Sequence, residues 1–253
     1  MTADRHAQGT PGESVIAGQT VVVIGASAGI GRETARQVRA GGGRVVLVGR
    51  NPERLQEAAR ELEPVSTAAF DASDTDRLTR FFQDLPGPVD HVLLTAGSPA
   101  YMPLDGMNIA DASNAMAERM AMTLGVALGS RDKVRAGGTL LFLGGTGGRR
   151  PGVGMSVMTA MTAALPALTA NLALELAPIR ANLIAAGFVD TPLSASLLGD
   201  QLEARREELR RTLPIRRVVG PEDVASLAVH IMGNEALTGA TFDVDGGQQL
   251  IAR

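Results

Sequence analysis

At 253 residues the chain has the length of one large domain with a full core. Its 45% hydrophobic content, net charge of −3 and 3% aromatic content without Trp offer neither the basic footprint nor the stacking platforms of a nucleic-acid binder. With no Cys, disulfides, thiolate metal sites and a cysteine nucleophile are excluded, and His6, His91 and His230 lie too far apart in sequence to read as a metal site.

Residues 1–18 begin M-T-A-D-R-H-A-Q-G-T-P-G-E-S, polar and without an apolar signal core, and read as a flexible lead-in to a single domain over 19–253. No apolar run is expected to reach membrane-spanning length, and a cytoplasmic protein is expected. The stretch from Thr20 to Arg32, T-V-V-V-I-G-A-S-A-G-I-G-R, organises the rest. Val21, Val22, Val23 and Ile24 predict a strand buried on both faces. Gly25, Gly29 and Gly31 predict a turn, and a helical run opens at Arg32. A strand, a glycine turn and a helix N-terminus make a phosphate site, because backbone N–H groups and the helix dipole both favour an anion there. The spacing G-x3-G-x-G differs from the dinucleotide fingerprint G-x-G-x-x-G and from the P-loop.

Glu33 to Ala40 predicts the body of that helix, stopped by Gly41, Gly42 and Gly43. A second strand, Arg44 to Val48, ends at Gly49 and Arg50. An acid there would hold a ribose 2′-hydroxyl and an arginine a 2′-phosphate, so the cofactor expected is NADP(H) rather than NAD(H). Pro52 to Leu62 predicts an amphipathic helix. Ser66 to Phe70 predicts a strand ending at Asp71, placed to meet an adenine amine or to cap the next helix through Ser73. A helix over Thr75 to Leu85 and a strand over His91 to Leu94 follow, the latter ending in Thr95-Ala96-Gly97. Next come a long helix over Met107 to Val134, a strand over Thr139 to Leu143 and the loop Gly144 to Gly148. The remainder predicts a helix over Met155 to Ala177, a strand over Ile179 to Ala186, a loop over Gly187 to Pro192, helices over Asp200 to Arg211 and Glu222 to Met232, and a strand over Thr241 to Val244. This alternation predicts an α/β fold, a Rossmann-like doubly wound parallel sheet of about seven strands with helices on both faces. Ligands in such sheets bind beyond the carboxyl ends of the strands.

The motifs together resemble the short-chain dehydrogenase/reductase family over nearly all of 19–250. They are I-G-A-S-A-G-I-G-R, V-G-R-N, F-D at Asp71, T-A-G at 95–97, L-A-L-E-L-A-P-I-R-A-N, G-F-V-D-T-P at 187–192, G-P-E-D-V-A and L-T-G-A-T-F-D-V-D-G-G. The resemblance implies cofactor contacts at Gly25, Ser27, Gly29, Ile30, Gly31, Arg50, Asp71, Ala96, Gly97 and Thr191. It also implies a homodimer or homotetramer built through the two long helices and the last strand, and a mobile substrate lid over Leu193 to Arg211.

One departure bears on chemistry. The family carries Tyr-x-x-x-Lys on the second long helix and a serine about thirteen residues earlier; these positions hold Met158, Thr162 and Gly145 here. The helix asparagine that often completes the set falls near Thr123. A lysine beside a phenol lowers its pKa from about 10 toward neutrality. A positioned acid of this kind contributes about 10²–10⁴-fold, and neither Met nor Thr titrates near pH 7. Substitute candidates are Tyr101, the only tyrosine, Arg149 and Arg150 after the Gly144–Gly148 loop, and the hydroxyls of Thr146 and Ser156. Arg131 and Asp132 read as structural and Asp190 as a helix cap. Pro166, inside the second long helix, removes the bond to the Thr162 carbonyl and predicts a kink or loosening. Three functions stay open: a divergent NADP(H)-dependent oxidoreductase for an imine or an activated double bond, a catalytically silent NADP(H)-binding protein, and a non-redox cyclase or isomerase.

Overall fold

The computed structural model describes residues 14–251. Seven strands form one parallel sheet: β1 (Thr20–Ile24), β2 (Arg44–Gly49), β3 (Ser66–Ala69), β4 (Val89–Leu94), β5 (Val134–Gly145), β6 (Arg180–Ala186) and β7 (Thr241–Val244). Their order is β3-β2-β1-β4-β5-β6-β7. The register runs from Thr20 opposite Arg44 on one side of β1 and from Val21 opposite His91 on the other. Winding reverses between β1 and β4, which opens a crevice at the carboxyl ends of those strands.

The strands read as unbroken apolar runs because both faces of the sheet are covered. Side chains alternate between faces. Val21, Val23, Val45, Leu47 and Leu93 pack with α1 (Gly29–Ala40), α2 (Pro52–Leu62) and α8 (Pro221–Gly233). Val22, Ile24, Val46, Val48 and Leu94 pack with α3 (Thr75–Asp84), α4 (Ile109–Ser130) and α5 (Ser156–Glu175). Asn51 and Asp74 start α2 and α3 by accepting from the N–H groups of Arg54 and Arg77, at 2.8 and 3.0 Å. The cap of α3 is therefore Asp74; Asp71 instead accepts from both the N–H and the hydroxyl of Ser73.

Several boundaries differ from the sequence expectation. Helix α1 begins at Gly29, so Gly29, Ile30 and Gly31 form its first turn. Helix α4 ends at Ser130, and β5 starts at Val134, running through Gly137 at φ +76° with a register shift between Val89 and His91. Gly138 packs so tightly that a Cβ would lie 2.3 Å from the Asp90 carbonyl oxygen, which makes the glycine pair part of the strand and not its boundary. Two helices, α6 (Pro192–Leu198) and α7 (Leu202–Thr212), stand where one was expected. A capping box between Thr191 and Ser194, with Pro192 at the first position, starts α6. Of the lead-in, Ser14 to Gly18 carry a turn with Ile16 fully buried against the core; residues 1–13 lie outside the described residues.

Helix α5 corrects the expectation about apolar runs: among the described helices it alone is long and apolar enough to cross a membrane. Leu165 and Leu172 are buried in the core, and 33% of the apolar window is buried in all. Helical backbone continues through Pro166, so the rung lost to the Thr162 carbonyl does not end the helix.

His91 on β4 is fully buried, with Nε2 at 2.5 Å from Gln19 Oε1 and Nδ1 unpartnered among the described residues. Burial pushes its pKa from 6.5 to about 3, helped by Arg180 and Arg135 and opposed by Asp90. A folded-state pKa below the unfolded one means that the unfolded chain takes up the proton first as pH falls. Stability from this group should therefore be complete above pH 6.5 and fall steadily toward pH 3. The loss between pH 7 and pH 5 should be ~2 kcal/mol. Urea denaturation at the two pH values checks this, and His91→Leu should flatten the difference by that amount; a variant with the wild-type difference would refute it.

Candidate active site

At the end of β1 the chain turns back under β4. Gly25, at φ +101°, donates its N–H to the Val48 carbonyl, and a Cβ there would lie 2.4 Å from Thr95 Oγ1. A Cβ on Gly31 would lie 2.2 Å from the Gly25 carbonyl oxygen. Only hydrogen fits at both places, so the first turn of α1 lies directly against the strand end. Ala28, the N-cap of α1, brings no capping side chain, and no acid occupies the first turn. Those N–H groups are left for an anion from outside the chain.

Two cavities meet at this point. The cavity on the β2 side, about 640 Å³, runs along Gly25, Ser27, Gly49, Arg50, Asp71 and Ala96. Arg50 lies close enough to Asp71 to help hold that carboxyl below its usual range, a shift caused chiefly by the Ser73 N–H. The cavity on the β5 and β6 side, about 550 Å³, is walled by Leu143, Met155, Met158, Met161, Phe188 and Leu197. Thr95, Gly97, Tyr101 and Arg119 line both. An elongated ligand with phosphates at its middle fits such a cleft: glycines where a Cβ would block it, an open helix N-terminus, and an arginine at one end.

Of the residues expected to touch a cofactor, Gly25, Ser27, Arg50, Asp71, Ala96 and Gly97 line the β2-side cavity, and Ile30, Gly97 and Thr191 the other. Gly29 and Gly31 line neither. Gly29 faces the Thr191 side chain, 3.4 Å from where its Cβ would be, and Gly31 supports the turn. Gly145, Met158 and Thr162 come together on the wall of the second cavity. A Cβ at Gly145 would lie 3.5 Å from Thr162 Cγ2 and 3.7 Å from Met158 Cε. The Thr162 hydroxyl sits 2.9 Å from the Met158 carbonyl oxygen and is bonded back into its own helix.

Among the substitute candidates, Tyr101, Thr146 and Arg150 line the second cavity. Arg149 does not; both of its terminal nitrogens donate to Asp243, tying the loop to β7. Ser156 is the exposed first residue of α5 and lies outside both cavities. Asp190 does not cap a helix: Arg206 of α7 donates to both of its oxygens at 2.8 Å, latching α7 to the loop after β6. Leu193, Leu197, Leu198 and Arg205, from the region expected to be a lid, complete the wall.

Arg119 is not among the site residues expected from the sequence. Thr123, expected near the asparagine position, lies outside both cavities and donates to the Arg119 carbonyl at 2.9 Å. Arg119, one turn earlier, reaches the crevice: Nη1 donates to the Ala96 carbonyl at 2.9 Å and Nη2 to the Leu143 carbonyl. Burial alone lowers its pKa, and no carboxylate pairs with it among the described residues. The signal was spacing, since Met122, Thr123 and Val126 follow Arg119 at three, four and seven residues and are buried.

The family model described as enoyl-(acyl carrier protein) reductase matches residues 25–249. The short-chain dehydrogenase/reductase ATR9 of Stachybotrys chlorohalonatus is 29% identical over 251 residues, 92% of this chain and 97% of that protein. The MalC reductase/Diels-Alderase of Malbranchea aurantiaca superposes with a TM-score of 0.87 at 24% identity, over 94% of this chain and 99% of that one, a likeness of fold. A small-chain dehydrogenase in complex with NADPH superposes with a TM-score of 0.78 at 26% identity, over 92% and 99%. Fold, cleft and matched family model agree: the chain belongs to the short-chain dehydrogenase/reductase family.

Proposed function

We propose that the chain is an NADP(H)-dependent oxidoreductase acting on a small, largely apolar molecule without the usual tyrosine–lysine acid. The observation that carries this reading is the junction of two cavities at an uncapped helix N-terminus, one ending at Arg50 and the other walled by methionines. The NADPH complex of a relative at 26% identity supports the same cofactor here. Gly25, Ser27, Gly29, Ile30, Gly31, Arg50, Asp71, Ala96, Gly97 and Thr191 would form its cradle, and bound there it would supply or accept a hydride. The chain's own part is to hold, orient and exclude water. Among the described residues the wall of the methionine-lined cavity offers no Asp, Glu, His or Lys, so a substrate that needs little help with protonation suits it, an imine or an activated double bond. Exposed Leu124 and Leu128 on α4 and Leu174 on α5 offer apolar surface for a homodimer or homotetramer.

Loss of NADPH absorbance across a panel of imines, enones and ketones tests the reading. Turnover of an imine or enone supports it, and absence of turnover on every class refutes it. The second reading, a silent cofactor-binding protein, draws on Gly145, Met158 and Thr162 standing together where an acid is needed. It predicts tight NADPH binding without turnover. Product formed without NADPH consumption would instead mark a cyclase or isomerase. Cofactor choice has its own test. Arg50→Ala should weaken NADPH binding about tenfold, the worth of one charge-assisted bond at an exposed site, and leave NADH binding unchanged. Calorimetry with both cofactors reads the two values, and an equal loss for both would remove Arg50 from the 2′-phosphate.

A further inference from the structure

The wall of the methionine-lined cavity is one-sided in charge. Among the described residues its charged groups are Arg119, Arg150 and Arg205, with no carboxylate. Arg205 pairs with Glu208 at 2.6 Å, and Arg150 is engaged as well. Arg119 differs from both. Among the described residues its hydrogen bonds go to the carbonyls of Ala96 and Leu143, which carry no net charge, and they leave further N–H donors of the fork unspent. Two carbonyls can be satisfied by neutral donors, so a clasp between the ends of β4 and β5 does not by itself require a guanidinium. Arg119 is half-buried; a charge partly withdrawn from water with only neutral partners carries a cost, and a guanidinium cannot escape it by losing its proton. The residue also stands where the two cavities meet. A ligand anion there would supply the missing countercharge in a planar, two-pronged contact.

We infer that Arg119 is an anion anchor, and that the cavity takes an apolar organic acid whose carboxylate pairs with it. Methionine and leucine side chains accommodate the apolar body, since thioethers adapt to irregular shapes. The inference rests on the oxidoreductase reading only for calling this ligand a substrate, and it narrows that reading. A protonated imine is repelled by the same charge, which leaves an activated double bond in an acidic molecule.

The test compares trans-cinnamate with its neutral amide by calorimetry on the full chain saturated with NADP+. The acid should bind about 10–100-fold tighter than the amide, the worth of one charged hydrogen-bonded pair. Arg119→Met should erase that preference, whereas Arg119→Lys should keep part of it. Arg119→Gln retains amide donors for the two carbonyls without the charge, so it replaces the methionine variant if that one does not fold, with the same loss expected. Two results would overturn the anchor: equal wild-type affinity for acid and amide, or a preference that survives both neutral variants. A chain that binds no NADP+ sinks the oxidoreductase reading instead, and the acid–amide comparison run without cofactor still decides the anchor.

Discussion

Gly145→Ser, Met158→Tyr and Thr162→Lys, introduced together, should raise NADPH-dependent reduction of a simple ketone by about 10²–10⁴-fold over wild type. The geometry allows it. A Cβ at Gly145 meets Ala186 O and Thr162 Cγ2 no closer than 3.5 Å, which is ordinary contact. Met158 and Thr162 sit one turn apart and both face the cavity, so a phenol and an ammonium placed there share one helix face. The ammonium lowers the phenol pKa from about 10, making it a usable acid. The present residues cannot do this, since a thioether has no proton and the Thr162 hydroxyl is committed to its own helix. Met158→Tyr alone should gain far less, because groups that act as a unit are non-additive. Steady-state kcat/KM and its pH profile check the result: the gained activity should fall as pH rises through the new phenol's pKa. A triple variant that folds, binds NADPH and stays at the wild-type rate would show that these positions do not stand beside the cofactor's reacting end.

The part of this molecule legible in the sequence is the part set by backbone periodicity and glycine sterics. Runs such as Val21 to Ile24 mark strands covered on both faces. Gly25 and Gly31 mark a close approach because only hydrogen fits where they meet Thr95 and the Gly25 carbonyl. What stayed hidden depends on packing between distant segments. Gly137 and Gly138 read as a break after a helix, yet Gly138 is pressed against the Asp90 carbonyl inside β5. Arg149 follows a glycine loop that does wall the cavity, but Asp243 on the edge strand claims it. Thr191-Pro192 closes a predicted loop, yet its capping box with Ser194 opens α6. Arg119 was concealed differently: a charged residue between Glu118 and Met120 looks solvated until the buried positions three, four and seven residues later fix which face it occupies.

Arg180→Met should cost about 4 kcal/mol or more of stability, the other large effect expected. Arg180 is buried at the start of β6 and donates to five backbone carbonyls: Gly137, Ile231, Asn234, Leu237 and Met232. Ile231 and Met232 belong to the last turn of α8, where carbonyls lack helical partners and the helix dipole is negative. One guanidinium therefore closes that helix end, holds the turn that leads to β7 and ties both to β5. Methionine fills similar space but leaves the carbonyls buried and unpaired, each at a cost of ~1–3 kcal/mol before relaxation. Arg180→Lys should recover only a fraction, because an ammonium offers three donors from a point instead of five in a plane. Urea denaturation of the three proteins reads the differences. Arg180 stands at the amino-terminal edge of the sheet, opposite the cavities, so NADPH affinity should survive wherever the variant is folded. A loss below ~1 kcal/mol, within reach of a surface change, or full recovery by lysine would mean that water replaces the guanidinium at these carbonyls and that α8 closes without it.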